Sequence, residues 1–195
     1  MAKDAIDSAK VVVIGGSAGS LEVILRIISY APASASAVYV IIIHRKNDSD
    51  SILTNLVESR TSMPVKEVED KEPIRLNHVY IAPPDYHLLF EDRENFSLDS
   101  SEKVHHSRPS IDVTFESAAD VFGPQVTGIL VSGANADGAQ GLVYIRQAGG
   151  FAIVQDPATA EIDFMPQQAI NRQAFDKIIE GENIGIFLAE HLNKA

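Results

Sequence analysis

At 195 residues the chain has room for one α/β domain with a full core but not for two enzymatic domains, and its lack of cysteine excludes disulfides, thiolate catalysis and cysteine-ligated zinc. Hydrophobic residues make up 45% and charged residues 22%, and no apolar run approaches the roughly 20 residues of a bilayer span, which excludes a disordered chain and a helical membrane protein. A formal net charge of −11 sets the averaged field against nucleic acid and anionic membrane, so neither is expected as a partner.

A single domain is expected over residues 1–195. Residues 1–10 form an N-terminal tail too polar and short for a signal peptide, as in a cytoplasmic protein. Val11-Val12-Val13-Ile14 then reads as a strand buried on both faces, because it has no polar alternation. Gly15-Gly16 ends it, Ser17-Ala18-Gly19-Ser20 makes a turn of small residues, and Leu21, Ile24, Leu25 and Ile28 mark one face of a helix. The first turn of a helix offers free N–H groups and the positive end of its dipole. Ser17 there has three readings: a nucleophile elbow, part of a dinucleotide phosphate loop, or a plain N-cap, the default on this stretch alone.

Ala37 to Ile43 is a second buried strand, so the opening unit is a right-handed strand–helix–strand crossover with parallel strands. Ser17 and His44 then follow the carboxyl ends of two strands on the same rim of the sheet. His44-Arg45-Lys46 is a short basic patch followed by Asp48 and Asp50, and reads as a solvated loop. A helix is expected over Ile52 to Ser59, a short strand around Met63-Pro64-Val65 and a buried strand at Val79 to Ala82. A β-hairpin is expected from His87 to Glu91 and Phe96 to Leu98 around a polar turn. Ser101 to Ser110 is a polar loop whose adjacent His105 and His106 diverge, against a shared metal. Asp112 to Val121 reads as a helix.

Val126 to Val131 repeats the opening pattern: a buried strand, the small-residue turn Ser132 to Ala139, then a helix through Leu142, Ile145 and Arg146. Asp137 sits near the helix start, where an N-cap is the plain reading. Phe151 to Val154 is the next strand, and from Met165-Pro166 to Leu192 the chain reads as helical apart from a turn around Gly181 to Gly185. The fold class is α/β, doubly wound, with a mostly parallel sheet covered by helices on both faces and one antiparallel hairpin. In such sheets ligands bind beyond the carboxyl ends of the strands. Ser17, His44 and Asp137 all fall there, and their types are nucleophile, base and orienting carboxylate, the combination that acyl transfer to serine requires.

Several motifs together resemble one family. Gly15-Gly16-Ser17-Ala18-Gly19, His44 after an aliphatic strand, Val79-Tyr80-Ile81-Ala82-Pro83 with His87, Arg108-Pro109-Ser110-Ile111-Asp112, Gly133 to Gly138 with Asp137, and Phe164 to Ile170 resemble the catalytic domain of CheB-type chemotaxis protein-glutamate methylesterases. The resemblance implies hydrolysis of γ-glutamyl methyl esters on the cytoplasmic helices of chemotaxis receptors, in many members with deamidation of receptor glutamines. Ser17, His44 and Asp137 match the triad positions, and no metal or organic cofactor is implied. Backbone N–H groups near Ala18 and Ala134 are the candidate oxyanion donors. His87 and Arg108 match positions near the substrate groove, against the plain readings of a hairpin surface residue and a salt-bridged loop.

The sequence departs from the family pattern in places. Ala18 stands where threonine is common, Ser20 where glycine is common, Ala134-Asn135-Ala136 replaces a motif of methionine, glycine and asparagine, and Arg45 replaces an apolar residue. These changes bear on the pocket, on side-chain support of the imidazole and on how an acidic receptor helix docks. Many members carry a fused receiver of roughly 100 residues or more, whereas only about ten residues precede the first strand here, so control by a separate receiver or kinase, or none, is expected. Two alternatives stay open: a non-catalytic or weakly active scaffold in a signalling complex, and an NADP-binding module using the glycine turn and Arg45, although the turn does not fit G-x-G-x-x-G.

Overall fold

Strand β1 (Lys10–Gly16) lies in the middle of a seven-stranded sheet in the computed structural model, which describes residues 8–45 and 50–194. Val11 and Val13 enter the core on one face, Val12 and Ile14 the core on the other, and all four are fully buried. That double burial is why the run carries no polar alternation. On one flank β1 pairs with β2 (Ala37–Ile43), beyond which lie β4 (His78–Ile81) and β3 (Val65–Glu67). On the other it pairs with β7 (Val126–Leu130), followed by β8 (Phe151–Gln155) and β9 (Lys177–Ile179). Every pairing is parallel, in the order β3-β4-β2-β1-β7-β8-β9. From β1 the chain first builds one flank, laying β3 at the edge before β4 fills the place beside β2, and then builds the other, so the switch in direction falls at the carboxyl ends of β2, β1 and β7.

Helices α1 (Leu21–Tyr30), α2 (Asp50–Glu58) and α6 (Ile184–Lys194) cover one face. The other carries α3 (Ile111–Phe122), α4 (Ala139–Gln147) and α5 (Phe164–Asn171), together with the antiparallel hairpin of β5 (His87–Phe90) and β6 (Phe96–Asp99). Phe90 packs against Phe96 and Phe122 with ring centroids 5.0 and 5.4 Å apart, and Thr114 Oγ1 donates to the Leu88 carbonyl at 2.7 Å, so the hairpin is fastened to α3. This attachment aims the loop after β6 at the sheet rim. Among the described residues no helix is long and apolar enough to cross a membrane.

Three expectations change. The stretch read as helical to Leu192 contains β9, and Gly185 lies inside α6 rather than in a turn. A three-residue edge strand needs no long apolar run, because half of its surface faces solvent. On α1 the buried set is Ile24, Leu25, Ile27 and Ile28, while Leu21 is 38% exposed, so the helix is rolled relative to the face read from spacing. Most of the tail, residues 1–7, and Lys46 and Asp48 of the basic stretch lie outside the described residues.

Candidate active site

The rim is assembled by backbone pairing that continues past the strand ends. The His44 N–H donates to the Gly16 carbonyl at 3.3 Å, and the Ser17 N–H donates to the Ser132 carbonyl at 2.9 Å. Ser17 therefore sits between the segment leaving β2 and the segment leaving β7. It is not the cap of α1. That position belongs to Ser20, whose hydroxyl donates to the Ser17 carbonyl at 2.6 Å, because Gly19 at φ 74° delays the helix. Ser17 is half-buried, and among the described residues its hydroxyl makes no hydrogen bond.

Asp137 is fully buried, and it does not cap α4 either; Gly138, at φ 89°, holds that place. Its carboxylate instead reaches the N-terminus of α3. Oδ2 accepts from the Ile111 N–H and from His44 Nε2, both at 2.7 Å, while Oδ1 accepts from the Ser110 hydroxyl at 2.8 Å and the Asp112 N–H at 2.9 Å. Two glycines allow this approach, since a Cβ on Gly15 or on Gly138 would collide with Ile111. Burial by itself would push the Asp137 carboxyl up. The hydrogen bonds from His44 and from the Asp112 and Ile111 amides outweigh it and hold the group below the ordinary carboxylate range. Asp137 is thus an anion that only accepts, which puts the imidazole proton on Nε2 and leaves Nδ1 as the basic nitrogen.

Asp112 beside it is pushed the other way, by burial and then by the Asp137 charge. His105, Asp112 and Asp137 each bring a ligand atom within 4.8 Å of the others. Yet both Asp137 oxygens already accept two hydrogen bonds each and Asp112 Oδ1 accepts the Gly141 N–H at 2.6 Å, so their lone pairs are aimed at protein donors rather than at a metal.

The other sequence-derived residues divide. Ala18 and Ala134 are exposed on the two turns flanking Ser17, and their amides donate to no group among the described residues. His87 is neither at a groove nor on the surface. It is 1% exposed, its Nε2 bonds the Glu102 carbonyl at 2.9 Å and its Nδ1 accepts the Ser110 N–H at 3.1 Å, so both ring nitrogens brace the loop before α3. Arg108 forms no ion pair among the described residues; it donates to the Ser100 and Ser101 carbonyls at 2.6 and 2.7 Å and lines a cavity beside His44. Ser110, which the sequence showed only as part of a motif, is both the N-cap of α3 and a donor to Asp137. A serine directly before an apolar helical stretch was the available signal.

Two cavities meet at this rim. One of about 570 Å³ opens at Ser17 and is lined mainly by Leu21, Leu25, Ile43, Leu53 and Leu56. The other, about 470 Å³, is polar and basic, with Lys103, His106 and Arg108 around His44. The family model for the CheB methylesterase matches residues 12–188. The chain belongs to the CheB methylesterase family. A Leptospira interrogans relative is 43% identical over 173 residues, which is 89% of this chain and 90% of that protein. The protein-glutamate methylesterase/protein-glutamine glutaminase 2 of Rhodospirillum rubrum is 35% identical over 90% of this chain, and the match spans 49% of its length. The crystal structure of the Thermotoga maritima CheB methylesterase catalytic domain superposes with a TM-score of 0.89 at 30% identity, over 94% of this chain and 98% of that one. The doubly wound CheB catalytic fold is therefore shared with a solved family member.

Proposed function

We propose that this chain hydrolyses γ-glutamyl methyl esters, and γ-amides of glutamine, on the cytoplasmic helices of chemotaxis receptors, with Ser17 as nucleophile, His44 as base and Asp137 as orienting carboxylate. The observation that carries the reading is the 2.7 Å bond from His44 Nε2 to a buried, ionised Asp137, with Ser17 on the neighbouring strand end. Nδ1 of His44 takes the Ser17 proton as Oγ attacks the ester carbonyl, and Asp137 stabilises the imidazolium that forms. Free amides at Ala18 and Ala134 receive the oxyanion; one such donor is worth about 10²- to 10³-fold in rate. Collapse of the tetrahedral intermediate expels methanol, protonated by His44, and water then enters by the same route to release the carboxylate. The scheme calls on no metal or organic cofactor, and its proposed substrates, the cytoplasmic helices of receptors, put the reaction in the cytoplasm.

Two features count against dinucleotide binding. Gly15 and Gly16 lie within β1, and the space a Cβ would take at them is filled by Ile111, Ser20 and Val131, leaving no bed for a pyrophosphate. The direct test is Ser17→Ala assayed on a methylated receptor-helix peptide and on p-nitrophenyl acetate. Loss of hydrolysis with retained thermal stability is the expected result. Equal activity in the two proteins overturns the nucleophile assignment.

A further inference from the structure

Nε2 of His44 is committed to Asp137, so Nδ1 is the one ring nitrogen left to take a proton from Ser17. In the structure that nitrogen faces another hydroxyl. Ser107 Oγ lies 3.3 Å from His44 Nδ1. Because Nδ1 carries no proton, Ser107 is the donor. Its oxygen in turn accepts from Asn135 Nδ2 at 3.3 Å, and of the two acceptors its single proton can reach, the imidazole at 3.3 Å is nearer than the His105 carbonyl at 3.5 Å.

Ser107 is held there by a small assembly. Val104 and Ser107 exchange backbone hydrogen bonds of 3.2 and 2.8 Å around His105 and His106, whose φ angles of 48° and 63° make a two-residue turn with both central residues left-handed. Such turns favour Asn-Gly, and two histidines there are strained. Asn135 Nδ2 also donates to the His105 carbonyl at 3.4 Å while Asn135 Oδ1 accepts the Asp137 N–H at 3.1 Å. His105 Nε2 lies 3.2 Å from Asp112 Oδ2. The turn is thus tied to the residue that orients His44, through long bonds on an exposed and strained segment, which is the construction of an element that can let go.

We infer that Ser107 is a positioning residue that caps the basic nitrogen of His44 in the resting site and must be displaced before Ser17 can be deprotonated. The inference rests on the triad reading above. No covalent step at Ser107 is involved; its hydroxyl exchanges one hydrogen-bond acceptor for another as Ser17 takes its place on Nδ1.

Two measurements on the full chain test it. Ser107→Ala removes a competitor of ordinary hydrogen-bond strength, so kcat/KM for p-nitrophenyl acetate should rise about two- to tenfold, whereas Ser107→Thr, which keeps the hydroxyl, should stay near the starting value. An unchanged or lower kcat/KM in Ser107→Ala overturns the competitive role. The second uses Ser17→Ala protein labelled with 15N-histidine. Adding Ser107→Ala should move the His44 Nδ1 resonance downfield, toward a pyridine-type nitrogen with no donor, and an unmoved resonance overturns the cap. Should no Ser17-dependent esterolysis be found at all, the proposed function falls, while the 15N signal still decides whether Ser107 holds the imidazole.

Discussion

The two sides of the His44 ring are built differently. On the Nε2 side, a fully buried carboxylate collects four hydrogen bonds of 2.7 to 2.9 Å from a helix N-terminus, its capping serine and the imidazole. On the Nδ1 side, an exposed loop offers one hydroxyl at 3.3 Å from a turn whose central residues are both strained. Short, desolvated, charge-assisted bonds hold a group in place, whereas long bonds at the surface trade easily with water or substrate. On the proposed mechanism, the half of the site that orients the base is therefore part of the core, and the half that meets substrate is left adjustable.

Asp137→Asn should break the rigid half most severely. An amide there puts its NH2 against the Ile111 and Asp112 donors and removes the charge that fixes the tautomer, so kcat should fall about 10³- to 10⁴-fold by ester hydrolysis. Urea unfolding of the same variant should show a loss of about 2–3 kcal/mol from the mismatched buried donors. Ser110→Ala removes the α3 cap and one Asp137 donor while the two amides remain, and should cost about 1–2 kcal/mol in the same measurement. The pH dependence of stability sharpens the contrast. Asp137 is held below its unfolded value, so its contribution is present above the ordinary carboxylate range and is lost as pH falls through its folded value. Asp112 is held above its unfolded value, so its contribution is present in acid and lost as pH rises through its folded value. Unfolding free energies followed downward from pH 7 should therefore converge for wild type and Asp137→Asn, while Asp112→Asn should gain on wild type as pH rises. The smallest effect belongs to the adjustable half: His106→Gly relieves a left-handed residue but loosens the unfolded chain, for a net change of within about 1 kcal/mol by thermal melts.

Some of this was legible in the residues. Continuous apolar runs rich in β-branched residues, such as Val11 to Ile14 and Val38 to Ile42, announce parallel strands buried on both faces, because a strand with a solvent face would alternate with polar residues. Edge strand β9 lacked that signal, since its residues are mostly exposed and only three are paired. His87 was misplaced because a lone histidine at a hairpin looks the same in sequence whether it faces water or satisfies a buried amide and a carbonyl.

Sequence by itself determined the layered α/β fold and the placing of Ser17, His44 and Asp137 just past strand ends, because local patterning dictates where strands stop and chain order dictates which ends share a rim. Only the tertiary structure decided which nitrogen of His44 meets Asp137, that this contact and two α3 amides hold the carboxylate below its ordinary range, that Ser110 donates to it, and that Ser107 faces the remaining nitrogen. Those outcomes depend on contacts between segments far apart in the chain, whose hydrogen bonds are chosen by how helix α3 and its preceding loop pack over the sheet and by no property of the residues taken one segment at a time.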